Sequence, residues 1–193
     1  MVGPQDVFYD LGANRGIFSR LARELGACVV AFEPLPSACT VLGDVLGDDA
    51  RHIIVNAAAW NEFIPLVIML NAESGRCEVG ETIHDDHGEP CHGPSDGCHA
   101  STVYTVGLPL DDFTAGEGVP LPTVIKSDTQ GSEVRWLLGA EETVKSCKAM
   151  ILESCAPMLQ ANGNTEAELL ALVTAYGFRL TERVDNDLLV ERV

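Results

Sequence analysis

Basic residues are scarce in this sequence. Lysine and arginine total 12 against 29 aspartates and glutamates, which gives a formal net charge of −17 at pH 7. An acidic surface repels phosphate groups, so nucleic acids and anionic membranes are poor candidates for partners. Solubility is the simplest interpretation of the acidic excess. Adaptation to high salt and a preference for a cationic ligand are the alternatives.

Long apolar runs are also missing. No stretch reaches the roughly 18 residues needed to span a bilayer, and the first residues lack the basic start and apolar core of a secretory signal. We therefore expect a cytoplasmic protein with no membrane partner. The seven cysteines are an odd number, and without a secretory signal they are expected to be free thiols.

The apolar segments alternate between strand and helix patterns. With 193 residues, of which 46% are hydrophobic, residues 1–193 are expected to form a single domain. The predicted strands lie at 7–11, 28–33, within 52–60, 63–70, 123–128 and 149–154. Helices are predicted after the first two strands, over 132–144 and near 169–176. This order predicts an α/β fold with a doubly wound, mainly parallel sheet. Residues 178–193 predict an antiparallel C-terminal hairpin.

One segment, at about 71–101, interrupts this alternation. It is rich in glycine, proline and acids, which predicts a long loop or insertion. It also contains Cys77, His84, His87, Cys91, His92, Cys98 and His99. Cysteine and histidine are zinc ligands, but there is no CxxC pair and the spacing matches no common zinc module. A lid over a substrate is the favoured interpretation. A structural metal site and a decoration without function are the alternatives.

Polar residues stand at the predicted carboxyl ends of five strands. They are Asp10, Glu33, Asn56, Asp128 and Glu153. Ligands of open parallel sheets bind at these ends, beside the first strand. The sequence therefore predicts a binding site along this edge of the sheet.

The turn after the first strand distinguishes between ligands. A dinucleotide site needs G-x-G-x-x-G, and here Asn14 and Ile17 replace the second and third glycines. A glycine-bounded loop before a helix still suits a small anion such as a carboxylate. Glu33, at the end of the next strand, can accept bonds from ribose hydroxyls. An acid, a glycine loop and a second acid predict a nucleoside joined to an amino acid, as in S-adenosylmethionine.

Three segments carry a resemblance to a known family. "FYDLGANRGIFS", "VVAFEPLP" and "VIKSDTQGSEVRWLLGAEE" resemble successive motifs of FkbM-type methyltransferases, and "LPLDDF" resembles the segment before the last of them. The resemblance spans residues 6–155 without 71–101. It implies a Rossmann-like class I methyltransferase fold, S-adenosylmethionine as cofactor, and methyl transfer to a hydroxyl oxygen. The acceptor expected from it is a sugar, a polyketide or another small molecule.

The resemblance also implies cofactor-binding residues. The expected set is Asp10, Gly12, Asn14, Gly16, Glu33, Pro34, Asn56 and Ala57. The first four would hold the methionine end, Glu33 the ribose, and Pro34 would shape the turn beneath the adenine. Adenine-side contacts are expected from Asn56 and from the backbone N–H of Ala57. The alternative is an ordinary strand–helix turn followed by an exposed acid at Glu33.

Three residues are candidates for the chemistry. A hydroxyl needs a base or a metal to remove its proton during an in-line methyl transfer. Lys126 and Asp128 share one face of a strand, and Asp128 stands at its end as base or acceptor anchor. Glu133 begins the next helix, where an acid favoured by the helix dipole is the alternative. Lys126 has its own alternative, pairing with Asp128 or another acid.

A metal and two other functions remain open. Asp128 and Glu153 end neighbouring strands and could coordinate Mg²⁺. One rival function is a binding module that keeps the nucleoside pocket without activity. A second rival is a nicotinamide-dependent oxidoreductase, which Asn14 and Ile17 disfavour.

Overall fold

The computed structural model describes residues 2–71, 77–81 and 99–193. The strands are β1 Val7–Leu11, β2 Cys28–Phe32, β3 Ile53–Val55, β4 Ala58–Ala59, β5 Ile64–Asn71, β6 Cys77–Glu81, β7 His99–Leu108, β8 Val124–Ser127, β9 Ala149–Glu153, β10 Phe178–Val184 and β11 Asp187–Arg192. The helices are α1 Ile17–Glu24, α2 Pro36–Leu46, α3 Leu110–Thr114, α4 Glu133–Leu138, α5 Ala156–Ala161 and α6 Glu166–Ala175, with a 3₁₀ turn at Thr143–Ser146. No helix in these ranges is both long and apolar enough to cross a membrane.

The larger sheet has seven strands in the order β10-β11-β9-β8-β1-β2-β3. Neighbours from β9 to β3 pair in parallel, and β11 pairs antiparallel with both β9 and β10. This confirms the doubly wound, mainly parallel sheet and its antiparallel C-terminal hairpin. The last strand of the chain lies inside the sheet, and β10 forms the edge.

Apolar side chains on β1 point to opposite faces of this sheet, because successive strand residues alternate. Phe8 packs in a cluster with Leu42 and Leu46 of α2. Tyr9 faces the other side and packs in the cluster that contains Trp136 of α4. Both faces are therefore covered by helices around β1, as a buried parallel strand requires.

A second sheet of four strands has the order β4-β7-β5-β6. The strand predicted at 63–70 is β5, which belongs to this sheet. Within the loop or insertion predicted at about 71–101, β6 and the start of β7 pair with β5. Residues 82–98 lie outside the described residues, and with them His84, His87, Cys91, His92 and Cys98. The lid and zinc interpretations therefore stay predictions.

The helix predicted over 132–144 was wrong in its extent. The helix α4 ends at Leu138, and a separate 3₁₀ turn begins at Thr143. The cause is a contact from α3, because the Asp111 carboxylate accepts the backbone N–H groups of Glu142 and Thr143 at 3.1 and 2.7 Å. Among the cysteines, Cys28, Cys39, Cys147 and Cys155 are free thiols, as predicted.

Candidate functional site

The turn after β1 is bonded to the end of β2. The backbone N–H groups of Gly12 and Ala13 both donate to the carbonyl oxygen of Phe32 at 3.0 Å. Gly12 has a φ of 74°, and a Cβ atom there would lie 2.1 Å from the backbone oxygen of Asp128. Only glycine allows both this conformation and this approach. The first turn and the end of β8 are therefore in direct contact.

Glu33 is buried at the end of β2, with 5% of the residue exposed. Its Oε2 accepts the backbone N–H of Asn14 at 2.7 Å, and its Oε1 accepts that of Leu35 at 2.9 Å. Burial raises the pKa of Glu33, while these two bonds oppose the rise. The side chain braces the turns after β1 and β2. A carboxylate has about four acceptor positions, so Glu33 keeps capacity for a ribose diol.

Asp10 is fully buried at the end of β1. Its Oδ2 accepts a hydrogen bond from Ser19 Oγ at 2.6 Å, whereas its Oδ1 has no hydrogen-bond partner. Burial raises the pKa of Asp10, and the charge of Lys126 opposes this. A buried carboxylate oxygen without a donor fits an ammonium group.

Two buried carboxyl groups on adjacent strands thus match the polar groups of a nucleoside joined to an amino acid. Asp10 suits its ammonium group and Glu33 suits its ribose hydroxyls. Asn14 and Gly16 lie on the loop that joins β1 to α1, and Gly16 immediately precedes the helix. The residues of this edge of the sheet therefore fit S-adenosylmethionine.

The predicted adenine-side residues are involved in local bonds. The Asn56 side chain donates from Nδ2 to the carbonyl oxygens of Glu33 and Pro34, at 2.9 and 3.0 Å. Asn56 therefore shapes the turn at Pro34. The backbone N–H of Ala57 donates to the carbonyl oxygen of Val55 at 2.9 Å. An adenine contact at this N–H stays a prediction.

Lys126 lies between the cofactor side and the chemical side of the site. It is 5% exposed, and its Nζ lies 3.9 Å from Asp10 Oδ1 and 3.4 Å from Asp128 Oδ2. The same Nζ lies 4.8 Å from the centre of the Phe18 ring, within the range of a cation–π contact. Two acids thus balance the charge that burial would otherwise make costly.

Asp128 and Glu153 form an acid pair at the ends of β8 and β9, where Gln130 Nε2 lies 2.8 Å from Asp128 Oδ1 and 3.5 Å from Glu153 Oε2. Burial alone raises the pKa of Asp128, but Lys126 and the hydrogen bonds hold it below its ordinary value of 3.8. Burial and the charge of Asp128 raise the pKa of Glu153 to about 8. Asp128 is therefore the more acidic of the two carboxyl groups.

Glu133 lies beneath the turn that follows β8. It is 1% exposed, and its Oε1 accepts the backbone N–H and the hydroxyl of Thr129, at 2.9 and 2.8 Å. Burial raises the pKa of Glu133, while the bonds from Thr129 oppose this. These contacts are those of a residue that holds the turn in place.

The residues that the structure describes do not support the predicted magnesium site. They contain no group of three histidine, cysteine, aspartate or glutamate side chains able to hold a metal. Asp128 and Glu153 are brought together as expected.

A cleft of about 280 Å³ lies against Asp128. Its apolar lining includes Phe18, Ile151 and Leu189, and its polar lining includes Lys126, Asp128 and Asp187. Lys126 pairs in register with Ile151, which pairs with Leu189. These three side chains therefore form one row across β8, β9 and β11.

Sequence reasoning missed three residues of this region. Phe18 reaches it through the packing of α1, and Asp187 reaches it through the pairing of β11 with β9. Neither contact can be read from neighbouring residues in the sequence. Gln130 stands inside the quoted motif "IKSDTQGSE", and its Nε2 donates to Asp128 Oδ1 at 2.8 Å. The signal available in the sequence for Gln130 was its place two positions after Asp128, the candidate base.

Comparisons with known proteins identify the family and the fold of the chain. The family model for the methyltransferase FkbM domain matches residues 10–180. The FkbM methyltransferase of Methylobacillus flagellatus KT has a TM-score of 0.58 at 17% identity, covering 98% of this chain and 44% of that one. No match is found among curated proteins.

Other solved structures share the fold. The Methanococcus jannaschii fibrillarin pre-rRNA processing protein has a TM-score of 0.55 at 13% identity, covering 97% of this chain and 66% of that one. The precorrin-6y C5,15-methyltransferase of Geobacter metallireducens GS-15 has a TM-score of 0.51 at 13% identity, covering 98% and 78%. Likeness at these identities concerns the fold alone. The family match, which extends over most of the sequence, shows that the chain belongs to the FkbM methyltransferase family.

Proposed function

We propose that the protein is an S-adenosylmethionine-dependent methyltransferase that methylates a hydroxyl oxygen of a small-molecule or sugar acceptor. The observation that carries this proposal is the contact between the two halves of the site. Gly12 of the cofactor loop lies against the backbone of Asp128, so a cofactor on the loop and an acceptor at Asp128 would be neighbours. Placing the two reactants together supplies much of the rate of a displacement reaction.

The cofactor, when bound, supplies a methyl group activated by a positively charged sulfur. Asp10 would hold its ammonium group and Glu33 its ribose. Asp128, charged at neutral pH, accepts the proton that the acceptor hydroxyl loses as its oxygen is methylated. Phe18, together with Ile151 and Leu189 of the cleft lining, excludes water from the reacting groups.

The charge of the chain favours a small acceptor over nucleic acid. Structures with similar folds include a Streptococcus pneumoniae protein described as a putative tRNA methyltransferase, with a TM-score of 0.52 at 12% identity. A net charge of −17 opposes binding of a phosphate backbone, because such binding depends on clustered lysine and arginine. We therefore extend the proposal to an acceptor that is not a nucleic acid. We also propose that the protein acts in the cytoplasm.

Calorimetric titration with S-adenosylhomocysteine, with and without EDTA, tests the cofactor site. We expect micromolar binding in both conditions, since the cofactor residues include no metal cluster. Loss of binding in EDTA would return Asp128 and Glu153 to consideration as metal ligands. Stronger stabilisation by NAD than by S-adenosylhomocysteine would contradict the proposal in favour of an oxidoreductase.

The variant Glu33→Ala tests the ribose contact. We expect it to weaken S-adenosylhomocysteine binding by about tenfold or more, because a charged acceptor of two hydroxyl bonds is lost. Thermal unfolding is measured in parallel, since Glu33 also braces two turns. Unchanged affinity in a folded variant would remove Glu33 from the site.

The variant Asp128→Asn tests the chemistry. It should bind S-adenosylhomocysteine normally and lose turnover, measured as S-adenosylhomocysteine formed with a panel of sugars and polyols. The matched control is Asp112→Asn, which changes an exposed acid on α3 and should retain turnover. Turnover by Asp128→Asn at the level of this control would dismiss Asp128 as the base.

A further inference from the structure

Gln130 adopts an unusual backbone conformation beside the candidate base. Its φ is 55°, in the left-handed region, which side chains other than glycine, asparagine and aspartate seldom occupy. In the part of the chain that the structure describes, the other non-glycine residues with positive φ are Asn14 and Asp185. Both are of the tolerant types, so Gln130 is the exception that needs a cause.

The turn around Gln130 is held from both sides. On one side Gly12 packs against the backbone of Asp128. On the other, a Cβ atom on Gly131 would lie 2.3 Å from the backbone oxygen of Met158, so the turn presses closely on α5. Asn162 also donates from Nδ2 to the Gln130 carbonyl oxygen at 3.4 Å. These contacts maintain the strained conformation.

This conformation directs the Gln130 carboxamide at the acid pair. Its Nε2 lies 2.8 Å from Asp128 Oδ1 and 3.5 Å from Glu153 Oε2. The other oxygen, Asp128 Oδ2, lies 3.4 Å from Lys126 Nζ. A carboxamide offers two N–H donors and no charge, so it can hold both carboxyl groups without altering their electrostatic balance.

We propose that Gln130 is a positioning residue for methyl transfer, which fixes the Asp128 carboxylate through Oδ1 and leaves Oδ2 for the acceptor hydroxyl. This inference rests on the proposed function, since it assigns Asp128 to the acceptor. Gln130 touches neither the acceptor nor the cofactor in this role. Its effect is on the orientation of the base.

The variant Gln130→Gly separates positioning from stability. Glycine adopts positive φ freely, so the variant should unfold at the same temperature as the wild type or higher. Its affinity for S-adenosylhomocysteine should stay within about twofold of the wild type, because the cofactor residues are unchanged. We expect kcat to fall by about tenfold or more as the base loses its orientation. Wild-type kcat in this variant would overturn the proposal.

The matched control is Asp185→Gly. Asp185 has a φ of 53° in the hairpin turn between β10 and β11, so glycine relieves the same conformation there. This control should gain stability in the same way and keep its kcat. An equal fall of kcat in both variants would attribute the loss to the relief of strain, and would overturn the proposal.

A spectroscopic measurement tests the contact without an acceptor. The Gln130 side-chain amide signal is identified in ¹H–¹⁵N spectra by its absence from Gln130→Gly. We expect it to be shifted downfield by the carboxylate and to move in Asp128→Asn. A signal at the position of an unstructured peptide, indifferent to Asp128→Asn, would overturn the proposal. If S-adenosylhomocysteine binds but no acceptor in the panel is methylated, the acceptor class of the proposed function fails, and this measurement alone decides the role of Gln130.

Discussion

Gly12 shows how one residue without a side chain joins two strands of the site. Its conformation and its contact with Asp128 both exclude a Cβ atom. We expect Gly12→Ala to lower the free energy of unfolding by about 2–4 kcal/mol, from backbone strain and displacement of the neighbouring turn. Urea unfolding measures this change.

The control for that prediction is Gly43→Ala in α2. Gly43 is exposed, and a Cβ atom there meets nothing within 4 Å. Alanine is favoured over glycine in a helix by about 1 kcal/mol, so this variant should be stabilised. The prediction would be contradicted if Gly43→Ala lost stability or if Gly12→Ala did not, because a Cβ atom is expected to be tolerated at Gly43 and excluded at Gly12.

His52 gives a pH dependence at the residue scale. Its side chain is 2% exposed, and its Nδ1 accepts the backbone N–H of Val29 at 3.1 Å. Burial lowers the pKa of His52 below its ordinary value of 6.5, although Asp49 opposes this. The folded state therefore binds fewer protons than the unfolded state just below pH 6.5. The stabilising effect of the neutral His52 side chain is present above that pH and is lost as the pH falls.

The comparison of wild type with His52→Asn measures this effect, because asparagine keeps an acceptor near Nδ1 but does not titrate. Between pH 7.5 and 5.5 the wild type should lose free energy of unfolding relative to the variant, by at most about 1.4 kcal/mol per pH unit. Urea unfolding at several pH values gives the difference. A difference that is constant with pH, or that grows in favour of the wild type at low pH, would contradict it.

At the scale of elements, the helices differ in how their ends are stabilised. In the described ranges only α6 has a capping box, in which Thr165 and Glu168 bond to one another's backbone N–H groups. Thr165→Ala removes the hydroxyl and should lower the free energy of unfolding by about 1 kcal/mol, because a backbone N–H at the start of the helix loses its side-chain acceptor. Thr165→Ser retains the hydroxyl and should be close to wild type in urea unfolding. Equal stability of the two variants would exclude a role for the cap.

The same scale explains where sequence periodicity was misleading. The apolar spacing through Val144 continues past α4, yet Asp111 of α3 starts a separate turn there. An acid that is distant in sequence thus determines where the helical pattern is divided. Strand β6 was missed for a similar reason, because its polar residues become a strand only by pairing with β5.

At the scale of the whole molecule, charge opposes compactness. With a net charge of −17, self-repulsion destabilises the folded state, and salt screens it. We expect the unfolding temperature to rise as NaCl increases from about 20 mM to about 0.5 M, over which the screening length falls severalfold. Calorimetric scans at each concentration measure the rise.

The control is Asp48→Lys, which reduces the negative charge at an exposed position after α2. This variant should be more stable than the wild type at low salt and should gain less from added NaCl. If the unfolding temperature of the wild type did not depend on salt, the prediction would be wrong. The charges of the acids would then be balanced by neighbouring basic groups.

The sequence by itself determined the strands of the seven-stranded sheet, the glycine turn after β1 and the acids at the strand ends. Each is written in contiguous residues, because periodicity, glycine conformation and strand termination are local properties. From Asp10, Gly12 and Glu33 the kind of cofactor could be predicted before any tertiary structure was known.

Tertiary structure alone decided how these acids behave. It placed β11 inside the sheet, buried Lys126 between Asp10 and Asp128, and brought Glu153 close to Asp128, which raises the pKa of Glu153. It also directed Gln130 at that pair through contacts with a distant helix. The physical reason is that burial and electrostatic coupling depend on distances between residues far apart in the chain, which only the packed fold brings together.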